Sequence, residues 1–432
     1  MKKVALTLVL LFFAGSLFGI TLSNPISVAL GDAYIARARG FESLHWNPAN
    51  LGLMNDYMTF NLFQITSDVR NNALSLGYYN DLMGKYLNAD DKQEFLDKMP
   101  DTGMSLNVNA SVHMPFSMSI WKVALTINTM VRSSIGLSKE YFDLILHGNE
   151  IGATYNMENN RGTAVAFIES KVGYGDRIPM ELISSSFAEL PPIYGGISFG
   201  LITGLAHAHV EEFETVFSTN DSAMTVYNNL LIKTAGYDTD DNKIIASSIF
   251  PGAGAGFRMN IGFTSPINEK ITASLAIKNL FGNINWTEAT EEHMIKVEAF
   301  DMTINSWDDS VTVDSTYDIP DYSQKIPVEI HIGGSYQLGN VTLYSDYVQG
   351  FERSLFTSTK PKISLGAEYY PLYWLPLRAG FGFGGGERAH FSLGTGLDFK
   401  NFNFDWGLSY YTSPIYMSAT GLKLSFGAEL AF

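Results

Sequence analysis

The sequence predicts an all-β protein, a transmembrane antiparallel β-barrel, on three observations: strict apolar–polar alternation, an exported N-terminus and an unusual composition. In the last segment Leu424 and Phe426 alternate with Lys423 and Ser425, and the alternation continues to Phe432. A strand places two such sets of side chains on opposite faces. One face is therefore apolar and the other carries the charges, as in a barrel wall between lipid and a polar lumen.

The same alternation recurs in six earlier segments, whose polar faces are rich in glycine and serine: 402–410, 390–399, 377–383, 363–369, 328–334 and 255–263. Helical spacing does not produce this pattern. A soluble β-sandwich or propeller also alternates, but its polar face meets water and usually carries Lys, Thr and Glu. The secreted sandwich is therefore the less favoured fold.

Seventeen segments qualify as strands, whereas single-chain bacterial barrels have an even number, so at least one segment lies outside the barrel. We predict 14 barrel strands, with 16 as the alternative, and expect some early or acidic segments to be hairpin extensions. The segments are 57–66, 71–80, 103–113, 117–133, 163–175, 193–211, 213–235, 252–264, 270–279, 293–306, 325–338, 341–351, 362–370, 376–384, 389–400, 402–412 and 420–432.

Other connections read as helices or loops. Residues 90–99, stopped by Pro100, and 139–147, closed by Gly148, have helix-forming composition with a helix breaker at the end. The acidic stretches 236–243, 287–292 and 307–321 are predicted to be exposed loops or long hairpins.

The N-terminus is predicted to be a secretory signal covering residues 1–19. Lys2 and Lys3 precede an uncharged stretch from Val4 to Phe13, which is the layout of an export signal. A retained membrane anchor is less favoured, because a spanning helix needs about 20 apolar residues. The remaining chain divides into a hatch at 20–55 and a barrel at 56–432, and export predicts the bacterial outer membrane as its location.

Composition excludes several function classes. The 432 residues carry 28 Lys plus Arg against 44 Asp plus Glu, a net charge of −16, which repels a phosphate backbone and argues against nucleic-acid binding. The chain has no cysteine. Disulfides, thiolate zinc sites, iron–sulfur clusters, thiol nucleophiles and a lipoprotein anchor are therefore excluded.

The segment between the signal and the first strand resembles the N-terminal region of the FadL-like outer-membrane superfamily, in which an Asn-Pro-Ala element precedes the barrel. The C-terminal run 360–386 looks like that of uncharacterised FadL/PorV-type barrels. The matching N-terminal residues are Gly31, Asp32, Ala33, Ala36, Gly40, Trp46, Asn47, Pro48, Ala49, Asn50 and Leu51.

The resemblance implies that this segment folds into the lumen as a plug. It also implies passive uptake of fatty-acid or hydrocarbon molecules, or alternatively a PorV-like scaffold for secreted partner proteins. A transporter is expected to have an apolar cavity lined by aromatic rings beneath its outer mouth, and a scaffold a lumen packed shut with an exposed apolar loop patch. The expected partners are outer-membrane lipid, the barrel-assembly machinery and a hydrophobic ligand. We expect no cofactor.

Three sets of residues are candidates for function. Arg37 and Arg39 are expected to pair with lumen carboxylates and pin the plug, and Asn47 and Pro48 to form a stiff turn; ordinary solvated arginines and an ordinary turn are the alternative. The sets are the plug motif (Gly31, Asp32, Arg37, Arg39, Trp46, Asn47, Pro48 and Ala49), the lumen charges (Glu329, Glu368, Arg378 and Asp398) and the C-terminal assembly signal (Phe426, Leu430 and Phe432).

No motif predicts catalysis. His207, His209 and Glu211 have the spacing of a metal trio on a strand, but such spacing is common by chance, and we assign no metal. The acidic run from Asp238 lacks the glycine and final glutamate of a calcium loop, and the glycines at 382–386 lack the Lys-Ser/Thr of a phosphate loop. A Ser/His/Asp trio assembled across strands, as in outer-membrane lipases, is the remaining enzymatic alternative, and no catalytic residue is assigned.

Overall fold

The structure, a computed structural model, describes residues 23–53, 56–158, 160–180, 190–238, 243–244, 252–302 and 311–432. The predicted signal at 1–19 lies outside the described residues. Within these ranges, no helix has the length and apolar character needed to cross a membrane.

Fourteen antiparallel strands close into a barrel, which confirms the predicted fold class and strand number. The last strand pairs with the first, and Phe426 lies opposite Ile65 in that register. The barrel strands are β1 Met58–Asn71, β2 Met104–His113, β3 Val123–Leu137, β4 Arg161–Arg177, β5 Tyr194–Thr219, β6 Gly254–Pro266, β7 Ile271–Trp286, β8 Glu329–Leu338, β9 Val341–Gly350, β10 Lys362–Leu372, β11 Leu375–Gly384, β12 Glu387–Phe399, β13 Phe402–Tyr411 and β14 Gly421–Ala431.

The alternation read from the sequence sorts the two faces of the wall. Leu365 and Leu393 point outward and are exposed, whereas Ser364, Ser392 and Lys423 point into the lumen and are buried. The wall is therefore apolar outside and polar inside, as the alternation predicts.

The two ends of the barrel differ. The turn end holds the short connections of residues 267–270, 339–340, 373–374 and 400–401, and the short strand Met118–Ile120. The loop end holds long connections that contain the helices α3 Leu76–Leu82, α4 Ala89–Asp97 and α5 Lys139–His147. The plug contains α1 Pro25–Ala29 and α2 Ser43–Trp46 with the 3-10 helices Gly40–Glu42 and Pro48–Leu53; another 3-10 helix is Tyr416–Ser418.

A β-sheet projects beyond the barrel at the loop end. The second half of β5 pairs with Met224–Ala235, which pairs with Glu291–Met302, which in turn pairs with Val311–Asp318. Thr154–Asn156 adds to β5 and Tyr322–Lys325 to β7, and Tyr237–Asp238 pairs with Lys243–Ile244.

Three of the seventeen predicted strands are not barrel strands. The second half of the predicted strand 71–80 belongs to the helix Leu76–Leu82, because the Ser75 side chain accepts a hydrogen bond from the Tyr78 amide and caps the helix start. The segment 213–235 and the described part of 293–306, which ends at residue 302, contribute to the projecting sheet, so their alternation reflects a sheet outside the ring. The predicted segment 117–133 combines a short turn-end strand with β3. The helices predicted at 90–99 and 139–147 are confirmed as α4 and α5.

Candidate functional site

The plug, residues 23–53, crosses the lumen and docks on opposite walls. At one end the Ser409 hydroxyl donates to the Val28 carbonyl at 3.3 Å, so α1 lies against β13. At the other end Pro48 lies so close to β5 that a Cβ added at Gly196 would meet its carbonyl carbon at 2.3 Å. Helix α1 is locally stable: Asn24 caps it through a reciprocal pair with Ser27, and Pro25 occupies the first turn.

Asp32 ties the plug to the wall near the loop end. Its carboxylate lies 2.8 Å from Nζ of Lys362 on β10 and 3.0 Å from Nζ of Lys423 on β14. Burial works against the charged form, but the two lysines outweigh it and hold the pKa of Asp32 below its usual range. Gly31 and Asp32 both have positive φ, at 64° and 68°, so the chain turns sharply here.

A second wall carboxylate holds the plug backbone. Asp346 on β9 is buried and accepts hydrogen bonds from the amides of Tyr34 at 2.7 Å and Ile35 at 2.8 Å. The Tyr34 ring packs edge-on against Trp46 at 5.2 Å. These contacts fix the middle of the plug to β9.

The two plug arginines have different partners. Arg37 Nε lies 3.1 Å from Glu368 Oε2. Glu368 also accepts a hydrogen bond from Arg378, and NH1 of Arg378 donates to Asp405 at 2.5 Å. Arg39 instead donates to the backbone carbonyls of Ala36 and Ala38. The expected pairing with a lumen carboxylate is therefore found for Arg37, whereas Arg39 braces the plug itself.

The Asn-Pro-Ala element fixes the far end of the plug. The Asn47 side chain accepts from the Ala49 amide at 3.1 Å and donates to the Phe263 carbonyl on β6 at 3.0 Å. Glycine at position 262 makes room for this contact, since a Cβ there would lie 1.9 Å from Asn47 Oδ1. Ala49 is fully buried.

A buried carboxyl group lies on the turn-end side of the plug. Glu42 accepts hydrogen bonds from the Tyr34 hydroxyl and, at 2.7 Å, from the Gln64 amide. Burial raises the pKa of Glu42, and the two hydrogen bonds only partly oppose it.

A cavity of about 650 Å³ lies between the plug and the loop end. Asp32, His45 and Trp46 form its floor, and the loop after β9, residues 351–361, contributes residues 353–358 and Lys360 to its roof. Nine of its lining residues are Lys or Arg and three are Asp or Glu, so the cavity is basic. The cations are Arg70, Arg132, Arg161, Lys171, Arg258, Lys278, Arg353, Lys360 and Lys362.

The cavity floor is a connected polar network. Arg258 donates to both oxygens of Glu169 at 2.5 and 2.7 Å, and Lys171 lies 3.3 Å from Glu169. Lys171 also contacts His45 of the plug at 3.3 Å. Burial, followed by the charge of Lys171, places the pKa of His45 well below its usual range, so this imidazole is neutral.

Apolar side chains adjoin one side of the cavity. Phe356 in the roof packs on a buried cluster inside the barrel that includes Met130, Phe167 and Trp286. The cavity therefore differs from both sequence expectations: the lumen is not packed shut, and its lining is charged with an apolar border rather than apolar throughout.

The remaining predicted residues lie apart from the plug arginines. Glu329 lines the cavity and pairs with His331 at 3.2 Å, and Asp398 accepts from the Tyr370 hydroxyl at 2.8 Å. Phe426 and Phe432 are exposed on the outside of β14 and just beyond it, and Leu430 lies opposite Phe60 of β1. The amide of Phe432 donates to the Met58 carbonyl at 2.8 Å.

The histidine pair is part of the apolar packing. His207 stacks on Trp286 at 5.4 Å and bonds the Tyr322 hydroxyl at 2.8 Å, while Glu211 pairs with Lys233. Within the part of the chain that the structure describes, no three His, Asp or Glu side chains converge as a metal site. The run that begins at Asp238 continues outside the described residues.

Sequence reasoning missed Asp346, the Glu169–Arg258 pair and the cavity cations. An inward Asp346 between outward Ser345 and Tyr347 follows from alternation, but its partners are backbone amides, which carry no sequence signal. The cations are dispersed over several strands and one loop, so only the closed barrel brings them together.

Comparison with known proteins gives a family and a fold. The sequence profile of a family of unknown function, DUF5723, matches residues 48–407. No curated protein matches the chain. Three solved structures are similar: the TodX deltaS2S3 mutant monoaromatic hydrocarbon channel (TM-score 0.54, 9% identity, 95% of this chain and 98% of that chain), the Pseudomonas putida toluene transporter TodX (0.50, 10%, 96% and 98%) and a Pseudomonas aeruginosa FadL homologue (0.45, 9%, 96% and 99%).

At these identities the similarity concerns the fold. The chain therefore shares the plugged-barrel fold of the two TodX structures, as the resemblance read from the sequence implies.

Proposed function

This chain belongs to DUF5723, a family of unknown function, and we propose that it is an outer-membrane β-barrel that takes up hydrophobic small molecules through a plugged lumen. The observation that carries the proposal is the cavity of about 650 Å³ between the loop end and the plug. It is large enough for a small molecule and closed below by a segment that is not part of the wall. Uptake needs no catalytic group, and we assign none.

The location follows from the wall and the predicted signal. The outward faces of β10 to β14 carry exposed apolar residues such as Leu365 and Leu393, and such a band suits the acyl chains of outer-membrane lipid. The C-terminal strand, with Phe426, Leu430 and Phe432, is the proposed contact for the barrel-assembly machinery.

The cavity lining favours an amphipathic cargo over a pure hydrocarbon. Basic side chains suit an anionic head group, and the apolar border at Phe356, Leu355 and Trp46 suits a carbon chain. Of the two cargo types that the FadL-like resemblance implies, the structure therefore supports the fatty-acid type better than the hydrocarbon type.

A scaffold for partner proteins is the second candidate. The projecting sheet favours it, because this sheet lies outside the barrel and its strand Val311–Asp318, which pairs with Glu291–Met302, is largely exposed to a partner.

One extraction separates the two candidates. The protein is purified from outer membranes in mild detergent, and bound molecules are identified by mass spectrometry. We expect a co-purifying amphiphile, and vesicles that contain the protein to take up fluorescent dodecanoate faster than empty vesicles. A stoichiometric protein partner with no bound amphiphile and no uptake would instead support the scaffold.

A further inference from the structure

The luminal cavity contains cations that have no salt-bridge partner among the described residues. Lys171 and Arg258 share Glu169, and Lys362 shares Asp32 and Glu387. Five other lining cations have no carboxylate oxygen within 4.0 Å among the described residues: Arg132, Arg161, Lys278, Arg353 and Lys360. In a chain of net charge −16, this concentration of positive charge is a local feature of the cavity.

Two of these cations lie inside the barrel wall. Arg132 on β3 donates to the carbonyls of Leu355 and Phe356 at 3.4 and 3.2 Å, and its guanidinium lies 5.3 Å from the Phe356 ring centre. Lys278 on β7 lies 5.6 Å from the ring centre of Trp46. These weak partners, together with Glu329, whose charge acts on both cations from beyond salt-bridge distance, only partly offset the cost of withdrawing a full charge from bulk water.

Two residues that line this space contain buried polar atoms without a partner in the described part of the chain. Nε of Arg132 and Nδ1 of His331 are buried without a hydrogen-bond partner among the described residues, and both residues line the cavity. His331 itself is only 5% exposed. Buried polar atoms are usually paired, so the guanidinium of Arg132 keeps hydrogen-bonding capacity that the described residues do not satisfy.

We propose that the cavity binds an anionic group of at least two negative charges, of the phosphate type, between Arg132 and Lys278. The inference rests on the proposed uptake function and names the head group of its cargo. A single carboxylate carries one negative charge and leaves most of the unpaired positive charge of the cavity uncompensated. A phosphate group offers up to two negative charges and three strong acceptor oxygens. Guanidinium and ammonium groups are the usual protein partners of such anions.

The roof supplies the remaining contacts. Residues 351–361 hold their shape through Ser354, whose hydroxyl accepts from the amides of Phe356 and Thr357 at 3.0 and 3.1 Å. Arg353 and Lys360 on this loop are exposed and border the cavity. An anion on Arg132 competes with the Leu355 and Phe356 carbonyls, so binding loosens the roof on the apolar side.

Titration calorimetry of the full-length barrel in non-ionic detergent tests the site with four probes: dodecyl phosphate, dodecanoate, dodecanol and inorganic phosphate. We expect dodecyl phosphate to bind about tenfold or more tightly than dodecanoate, and dodecanol to bind weakest. If inorganic phosphate binds as tightly as dodecyl phosphate, the ligand is a soluble phosphate. If only dodecyl phosphate binds, the ligand is a phosphate attached to an apolar chain. Both results support the site. Equal affinities for dodecyl phosphate and dodecanol overturn it.

Substitutions locate the site. Arg132→Gln and Lys278→Gln each remove one charge-assisted hydrogen bond and are expected to weaken dodecyl phosphate binding about ten- to hundredfold. Lys296→Gln, at a lysine of the projecting sheet that pairs with Glu298, is the matched control and is expected to bind like the unaltered protein. Unchanged affinity in both Arg132→Gln and Lys278→Gln overturns the proposal.

A salt titration of the unaltered protein is independent of how any variant folds. Binding of dodecyl phosphate is expected to weaken as salt rises, and salt-independent binding counts against the site. Uptake assays separate the two proposals. If vesicles take up dodecanoate but the protein does not prefer dodecyl phosphate, only the head-group inference is refuted. Tight binding of dodecyl phosphate without uptake of any probe refutes only the transport function.

Discussion

The Asp32 carboxylate of the plug lies 3.0 Å from Nζ of Lys423 on β14, the strand that closes the barrel against β1. The same carboxylate lies 2.8 Å from Lys362, which borders the luminal cavity. Plug, barrel closure and cavity are therefore connected through one side chain.

Replacing Asp32 by Asn is expected to loosen the plug. The change leaves the buried Lys423 without its carboxylate, and breaking a buried pair in this way costs about 3–5 kcal/mol. We expect a higher ion conductance of the barrel in planar bilayers. Asp90→Asn, at an exposed residue of α4, is the control, and equal conductance of the two variants would contradict the role of Asp32.

The two plug arginines are expected to differ in effect. Arg37→Ala removes a charge-assisted bond to the buried Glu368, a loss of about 1.5–3 kcal/mol. Arg39→Ala removes only bonds to nearby carbonyls and is expected to have the smaller effect on conductance.

A double-mutant cycle checks the Arg37 partner. The double variant Arg37→Ala/Glu368→Gln should lose less free energy of unfolding than the two single variants lose together, because both changes remove the same interaction. Additive costs would show that Arg37 acts through another group.

Much of the barrel could be predicted from the sequence, because alternation reports which face of a strand meets which environment. It fails at two kinds of place. Residues 74–78 alternate by chance, and the Ser75 cap starts a helix there instead of a strand. The sequence predicts that one strand ends at residue 211 and another begins at 213. In the structure β5 continues through both positions to Thr219, because it leaves the barrel there and enters the projecting sheet.

The site could be predicted only where a local motif exists. Asn47 and Pro48 form a turn in which the Asn47 side chain accepts a hydrogen bond from the nearby Ala49 amide, and a short sequence motif records such a local contact. The partners of Asp32 lie 330 and 391 positions further along the chain. Such pairing depends on the closed ring, and no local pattern encodes it.

Glycine at positions 262 and 196 is expected to be required for plug docking. A methyl group at 262 would lie 1.9 Å from Asn47 Oδ1, and one at 196 would lie 2.3 Å from the Pro48 carbonyl carbon. Gly262→Ala and Gly196→Ala should therefore displace the plug and raise its cleavage by added protease. Gly195→Ala is the control, because its added methyl group would lie nearest to the end of the flexible Ile178 side chain, at 2.9 Å. This variant is expected to be cleaved like the unaltered protein. Equal protection of all three variants would contradict close docking.

The plug is also expected to loosen through Glu42 as the pH rises. Burial raises the pKa of this carboxyl in the folded protein, although the Tyr34 hydroxyl and the Gln64 amide partly oppose the shift. A raised pKa means that the stabilising contribution is fully present below the unfolded value, about 4.3, and is lost as the pH rises through the folded value. Conductance should therefore increase with pH. Glu42→Gln keeps the hydrogen-bonding shape without the ionisation, so its conductance should not follow this pH course; a rise identical to that of the unaltered protein would assign the effect to another group.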